Sequence, residues 1–521
     1  MLHATMRDDA VGALAGFFLP KLLKCEDFDR FEEEVVALMR SLAAEAVARC
    51  VEAFDAKLRA QAPSSWSAHE RASRTLLTLA GEVSFSRTVF LDEFGRRRTL
   101  ADELLGVPGR ARLSTGAFLW IVRRAAEESY RKTAAAFEEA TGCAISHVTV
   151  MNCVRAEGAL IEAAPAASGP KISQETVFLE VDGLWVHLQE PAHREDALAR
   201  FLYEQARSTK SFELKIAAAY AGKRRVAPGR FARDGLALAC SAGDADAFWE
   251  RAYRLVDDNY AVEDLRRVWL GADGGGWCGP ERLEGSLPKD AEVSCSLDPF
   301  HIMQKICRAF PEGPRRDRAA SMAVRRKAGA LARMCERCAP KADARRREKI
   351  RELGSYIENN APAVVFPRPS MGTMEGTNAH VGAARLKGQG RSWSRAGAEA
   401  MCLVRCALAT NRPLVAPDKG AFFTRREREA ALERGARSAR EVPARSGKGY
   451  LPPHQARTAS IKTAAGFRAR TCWNVAVGKE LEGSARISAD LAASRGFAGV
   501  NPGKLNSHMV EPSIAWLIWV W

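Results

Sequence analysis

The stretch Val177–Glu190, "VFLEVDGLWVHLQE", decides how this chain of 521 residues is read. Its apolar, β-branched and aromatic residues predict strand, and Asp182 before Gly183 predicts a break, giving strands over 177–182 and 184–189. A carboxylate at the end of a buried strand costs solvation energy that only an ion partner, hydrogen bonds or a metal can offset. Taken singly, an aspartate before glycine is most often a turn residue, because its side chain hydrogen-bonds the backbone just ahead.

The elements downstream extend the pattern. A helix-like "REDALARFLYEQ" (194–205) is followed by a strand over 212–222, a helix over 244–259 and a strand over 266–275. The segment "AEVSCSLDPFHIMQKI" (291–306) then reads as strand running into helix. Strands paired first and then alternating with helices predict an α/β domain with a mixed sheet over 175–415, carrying a basic helical insertion at 310–360.

Upstream, residues 1–75 read as a helical region with an amphipathic helix over 27–60 that Asp27 can cap. Within 76–165, "AGEVSFSRTVFLDEFGRRRTL" predicts a hairpin around "DEFG" that presents Arg96 and Arg97. Residues 129–160 predict a helix, a break at Thr141-Gly142 and a second helix from Ser146. That is the outline of a helix-turn-helix, with Ser146, His147, Thr149 and Asn152 placed to reach base edges; an ordinary helical pair fits nearly as well. "AAPAASGPKISQ" (163–174) has linker composition, and residues 416–521 form a basic tail with weak periodicity, expected to be poorly ordered.

A net charge of +15 does not determine a fold, but it favours a polyanionic partner, nucleic acid above all. Thirteen cysteines without framework spacing suit a reducing compartment; Cys335 and Cys338 have zinc-knuckle spacing but no second pair. No basic segment leads into an apolar leader and no apolar run reaches membrane length, so a cytoplasmic protein without a membrane partner is expected.

Three carboxylates stand out by position: Asp182, Asp273 before "GGGW", and Glu375 opening a short helix. Oxygen ligands on strand ends and a facing helix suit hard divalent cations, Mg2+ or Mn2+, and a pair of such ions can bridge a scissile phosphate. The order "LEVDG", "LGADGGGW", "CSLDPFHIMQK" and "MEGTNAHVGAARLKGQGRSWS" resembles the DDE transposases of ISLre-type insertion sequences, and more distantly the Mutator-type enzymes. The likeness covers residues 75–415, and it departs from the family at "GTM" before Glu375 and "KGQGR" after it.

The resemblance implies an RNase H-like catalytic domain in which Asp182, Asp273 and Glu375 are catalytic acids and metal ligands, two ions in all. "DPFH" (Asp298–His301) resembles an aspartate-x-x-histidine element, which places His301 beside the site, and His380 and Trp393 match positions after the glutamate. The implied protein is a transposase acting in the cytoplasm, at the nucleoid. It would bind its element's terminal repeats in double-stranded DNA as a homo-oligomer and catalyse metal-dependent strand cleavage and transfer. The alternatives are an RNase H-like metal-dependent nuclease and a catalytically inactive DNA-binding remnant.

Overall fold

A computed structural model describes residues 2–415, except 26, 108–110, 165–168, 190–199, 202–203, 205–209, 229, 284–286, 289, 365–366 and 368–370. Two compact units account for the described residues: 1–125 with 129–150, and 126–128 with 151–415. The sequence reading divides the same residues at 75 and in the 163–174 linker. The basic tail and most of "REDALARFLYEQ" lie outside the described residues.

In the first unit, helices α1 (Leu2–Leu22) and α2 (Phe28–Arg59) precede a three-stranded antiparallel sheet of β1 (Ser67–Thr78), β2 (Gly81–Leu91) and β3 (Arg97–Arg98). Asp27 caps α2 by accepting from the Asp29 amide, as the sequence predicts. The hairpin expected around "DEFG" is only the short β2–β3 pair; β2 runs its whole length against β1, a strand hidden by the polar residues of "SAHERASRT". Two buried carboxylates hold this sheet. Asp55 accepts from the Thr88 amide and hydroxyl, and Asp102, on α3 (Leu100–Leu105), receives Arg74 at 2.8 Å and Arg87 at 2.7 Å. Helices α4 (Thr115–Glu127), α5 (Tyr130–Thr141) and α6 (His147–Ala163) follow, with left-handed Gly142 ending α5 where a break is predicted.

The second unit is built on a five-stranded sheet. Its strands are β4 (Thr176–His187), β5 (Ser211–Tyr220), β8 (Ala237–Ser241), β9 (Arg267–Ala272) and β10 (Glu292–Leu297), in the order β10-β9-β4-β5-β8. β5 runs antiparallel to both neighbours; β9 is parallel to β4, and β10 to β9. A separate hairpin, β6 (Gly222–Ala227) and β7 (Arg230–Asp234), interrupts the path from β5 to β8.

The expected break at Asp182-Gly183 is absent: β4 is one twelve-residue strand, paired with β5 without interruption from Phe178 to His187. Gly183 serves close approach, since a Cβ there would lie within 3 Å of three Glu213 side-chain atoms. What ends at Asp182 is the pairing on the other side, because β9 accompanies β4 only as far as Glu180 opposite Gly271.

Val177, Leu179 and Val181 point into a core with Phe248, Trp249, Leu255 and Val256 of α7 (Ala245–Asn259). By the two-residue period of a strand, Phe178, Glu180 and Asp182 occupy the opposite face. The insertion, α9 (Pro314–Val324), α10 (Ala328–Cys338) and α11 (Ala344–Asn359), shares a core with the preceding α8 (Pro299–Ala309), with Ile302, Ile306, Leu331, Ile350 and Leu353 buried. Helix α12 (Met374–Thr377) continues through a π-helical turn, Asn378–Ala383, into α13 (Ala384–Leu386), and α14 (Arg395–Ala409) closes the unit.

Candidate active site

Asp182 and Asp273 each lie two residues beyond the last paired couple of β4 and β9, Glu180 and Gly271, on one face of two neighbouring parallel strands. The Asp182 carboxylate is buried; it accepts from the Gly183 amide at 2.8 Å and from Asn378 Nδ2 at 2.7 Å. Asp273 is half-buried and accepts from the Gly275 amide at 2.8 Å, while its carbonyl accepts from Tyr356 Oη of α11 at 2.7 Å. Gly274 is left-handed at φ 83°, and a Cβ there would meet Asn360 Oδ1 at 2.9 Å, so only glycine fits this turn.

Asp298 caps α8 by accepting from the Phe300 amide, and one turn later His301 brings Nε2 to 3.9 Å from Asp182 and 4.0 Å from Asp298. At that separation these are charge contacts rather than hydrogen bonds. Burial pushes the Asp298 pKa up to about 6. The Asp182 carboxylate raises the His301 pKa against the lowering effect of burial, with smaller contributions from Asp298 and Asp273. On β5, burial raises the Glu213 pKa, and Asp273 and Asp182 add to the rise.

Glu375 is exposed on α12, and two anchors hold that helix to β4. At its start, buried Glu180 accepts from the Gly372 and Thr373 amides at 2.6 and 2.8 Å, from Thr373 Oγ1 at 2.5 Å and from Tyr220 Oη at 2.7 Å. Arg233 Nη1 donates to Thr373 and Thr377, and burial lowers its pKa. At the other end stands the Asn378–Asp182 bond. Gly382 lets the π-helical turn close on β4, since a Cβ there would collide with the Leu184 side chain. Trp393 binds the end of the same strand, its amide donating to the His187 carbonyl and its carbonyl accepting from Gln189; His380 is exposed.

The donor set suits a hard cation: carboxylates from two adjacent strand ends and a helix anchored to one of them. Two buried polar atoms beside Asp182, Asn378 Oδ1 and His301 Nε2, have no hydrogen-bond partner, which marks a polar site not completed by the protein's own groups. The three acids do not form a tight cage. Among the described residues, the only group of three potential ligands whose donor atoms all lie within 4.8 Å of one another is Cys240, Cys402 and Cys406. Glu180 and Asn378 escape sequence reasoning, although the period of β4 already sets Glu180 on the face of Asp182; Asp298 stands in the "DPFH" element already singled out.

The model of an uncharacterised protein family, UPF0236, matches residues 24–412, about three quarters of the chain. The chain belongs to the UPF0236 family. A UPF0236 protein of Streptococcus gallolyticus, named from the vanSb 3' region, is 24% identical over 402 residues, covering 74% of this chain and 84% of that one. A UPF0236 protein of Caldanaerobacter subterraneus subsp. tengcongensis, whose name joins eleven TTE locus designations, is 22% identical over 388 residues, covering 71% and 75%. The UPF0236 match embraces every element that carries the acids.

The expected DNA-contact residues of this UPF0236 chain stand at the surface. Ser146, His147 and Asn152 are exposed and Thr149 partly so, but the Ser146 hydroxyl is engaged with the Thr149 amide and hydroxyl at 3.0 Å as the cap of α6. Arg96 lies over the Phe94 ring, and Arg97 pairs with Glu70. No helix among the described residues is long and apolar enough to cross a membrane.

Proposed function

We propose that this UPF0236 chain is the DNA transposase of an insertion sequence, with an RNase H-like catalytic domain that uses Asp182, Asp273 and Glu375. The single observation that carries the reading is the register of β4 and β9, which sets Asp182 and Asp273 side by side on one face with the Glu375 helix anchored to the same strand. The sheet order β10-β9-β4-β5-β8, with only β5 reversed, supports the RNase H-like assignment. That one relative's name spans eleven loci is what a self-copying element would leave behind.

In this reading the three carboxylates hold Mg2+ or Mn2+, which supplies charge neutralisation and an activated oxygen nucleophile at a scissile phosphate. His301 sits between Asp182 and Asp298, and once protonated it can donate to a phosphate oxygen. Asn378 orients Asp182 by holding one carboxylate oxygen. The partner is double-stranded DNA, bound at terminal repeats by a homo-oligomer at the nucleoid, and the basic balance of the chain favours it.

The test is to incubate the full chain with its flanking genomic DNA and Mg2+ and map the nicks. Nicks at the element ends, joined to target DNA, are expected; nicks without joining indicate a nuclease, and binding without nicks a remnant. Asp182→Asn, Asp273→Asn and Glu375→Gln should each lower cleavage on the order of a hundredfold or more while leaving duplex binding intact. A variant that nicks like the wild type at saturating Mg2+ removes its residue from the site.

A further inference from the structure

We propose that Cys240, Cys402 and Cys406 bind one thiophilic d10 cation, Zn2+ or Cu+, at a site separate from the carboxylates. Buried cysteine alone carries no such meaning, because the free thiol packs as a small hydrophobe. Convergence does carry it. Cys240 comes from β8 and the other two from α14, one helical turn apart, and all three sulfurs lie within 4.8 Å of one another. Metal–sulfur bonds of about 2.3 Å put the sulfurs of one ion about 3.8–4.0 Å apart, so little movement brings all three onto one ion, a full trigonal set for Cu+ and three of the four ligands for Zn2+, with water as the fourth. Soft thiolates select Zn2+ and Cu+ over the hard cations that suit the carboxylates.

The surroundings fit a charged cluster. Three thiols would release their protons to solvent, and three thiolates leave Zn2+ with one net negative charge and Cu+ with two. Arg405 acts electrostatically on Cys402 and Cys406, whereas Arg251, already paired with Glu399 and Glu162, serves the backbone: its Nη1 donates to the Cys240 carbonyl at 2.8 Å, and the other Glu399 oxygen accepts from the Ala242 amide. These bonds fix the backbone of Cys240 before any ion arrives. A cavity of about 70 Å³, lined by Cys406, Leu403, Leu238, Arg251, Arg254 and Arg412, borders the cluster at Cys406. An ion there would staple β8 to α14, whose Arg405 holds the carbonyls of His380 and Val381 in the π-helical turn behind Glu375.

The full chain, purified under reducing conditions, is titrated with Co2+ as a spectroscopic probe, then with Zn2+, and with Cu+ in competition against a chromophoric chelator. One Co2+ per chain, with thiolate-to-cobalt charge-transfer bands displaced by Zn2+ or Cu+, is expected, and metal analysis of the chain as purified identifies the occupant, since affinity alone does not. Cys240→Ser, Cys402→Ser and Cys406→Ser should each weaken binding at least about 100-fold. Changing the exposed Cys50 and Cys307 to serine should leave it unaltered. Because a core variant can misfold, the wild type is also alkylated with and without Zn2+, and protection of these three thiols is expected. No charge-transfer band in the wild type, binding that survives Cys402→Ser with Cys406→Ser, or a disulfide within the cluster would overturn the proposal.

Discussion

Buried carboxylates in the second unit are satisfied in two contrasting ways. Glu180 receives four hydrogen bonds, whereas Asp298 caps a helix from a site where burial holds its pKa near 6. A pKa raised in the fold means that neutral Asp298 suits the native state. Its contribution is therefore present below the unfolded pKa near 3.8 and is lost as pH rises through about 6. Asparagine caps a helix as well as aspartate and does not titrate. In EDTA, the stability of the wild type relative to Asp298→Asn should accordingly fall by about 1.4 kcal/mol per pH unit across that window, with His301 moderating the slope. Chemical denaturation of both proteins from pH 3.5 to 7 checks this, and parallel curves would refute it. Glu180→Gln can keep a carbonyl oxygen on the Gly372 and Thr373 amides but then turns its NH2 donor toward the Tyr220 and Thr373 hydroxyls that now donate to Glu180, at a cost of about 1–3 kcal/mol. Both the melting temperature and, under the proposed function, the rate of Mg2+-dependent nicking should drop, although Glu180 lies outside the proposed set of ligands.

Among the elements, those whose signals are local are legible in the sequence. Helix α7, opened by Asp244, and the passage from β10 into α8 can be read because a capping residue and an apolar period coincide. Strand β4 reads as two because Asp-Gly is the strongest short turn signal, and nothing local shows that Glu213 needs the space over Gly183. β1 and β6 to β8 escape notice since short or polar strands draw their stability from partners distant in sequence. Distance also hides the chemistry: Glu180 meets Thr373 across 193 residues, and Cys240 lies 162 residues from Cys402, whereas Asp182, Asp273 and Glu375 stand in motifs that can be read in order. At the level of helix packing, Gly158 of α6 faces Ala400 of α14 so closely that a Cβ would meet Ala400 Cβ at 2.6 Å and Cα at 2.7 Å. Gly158→Ala gains about 1 kcal/mol of helix propensity but forces the helices apart at about 1–3 kcal/mol. The clash wins because a backbone atom cannot rotate away. A lower urea midpoint is expected, and a higher one would show that the helices slide freely.

At the scale of the whole chain, charge sets how a polyanion is met. With 78 Lys and Arg against 63 Asp and Glu, the excess of 15 positive charges is a long-range field that any duplex encounters before a base edge is read. Binding to phosphates releases condensed counterions, so a complex with 6–10 phosphate contacts loses about 10³–10⁵ in affinity between roughly 50 and 200 mM salt. In the proposed DNA complex Arg96 and Arg97 would belong to this general component: both are exposed, Arg96 just before β3 and Arg97 opening it. Replacing each by alanine should lower affinity for repeat and random duplexes alike and flatten the salt slope by about one for each phosphate no longer neutralised. The effect at Arg97 should be the smaller, because part of its charge is already spent on Glu70. In the proposed complex Asn152 would belong to the other component: exposed on α6, its amide can pair bidentately with an adenine, and Asn152→Ala should then erase about 1–3 kcal/mol of preference at constant salt slope. Anisotropy titrations of the full chain on repeat and random duplexes at about 50 and 200 mM KCl separate the two, since a phosphate contact changes the slope and a base contact changes only the ratio. A salt-independent affinity would remove the electrostatic basis for nucleic acid as the partner, and equal binding of both duplexes by the wild type would remove α6 as the reader.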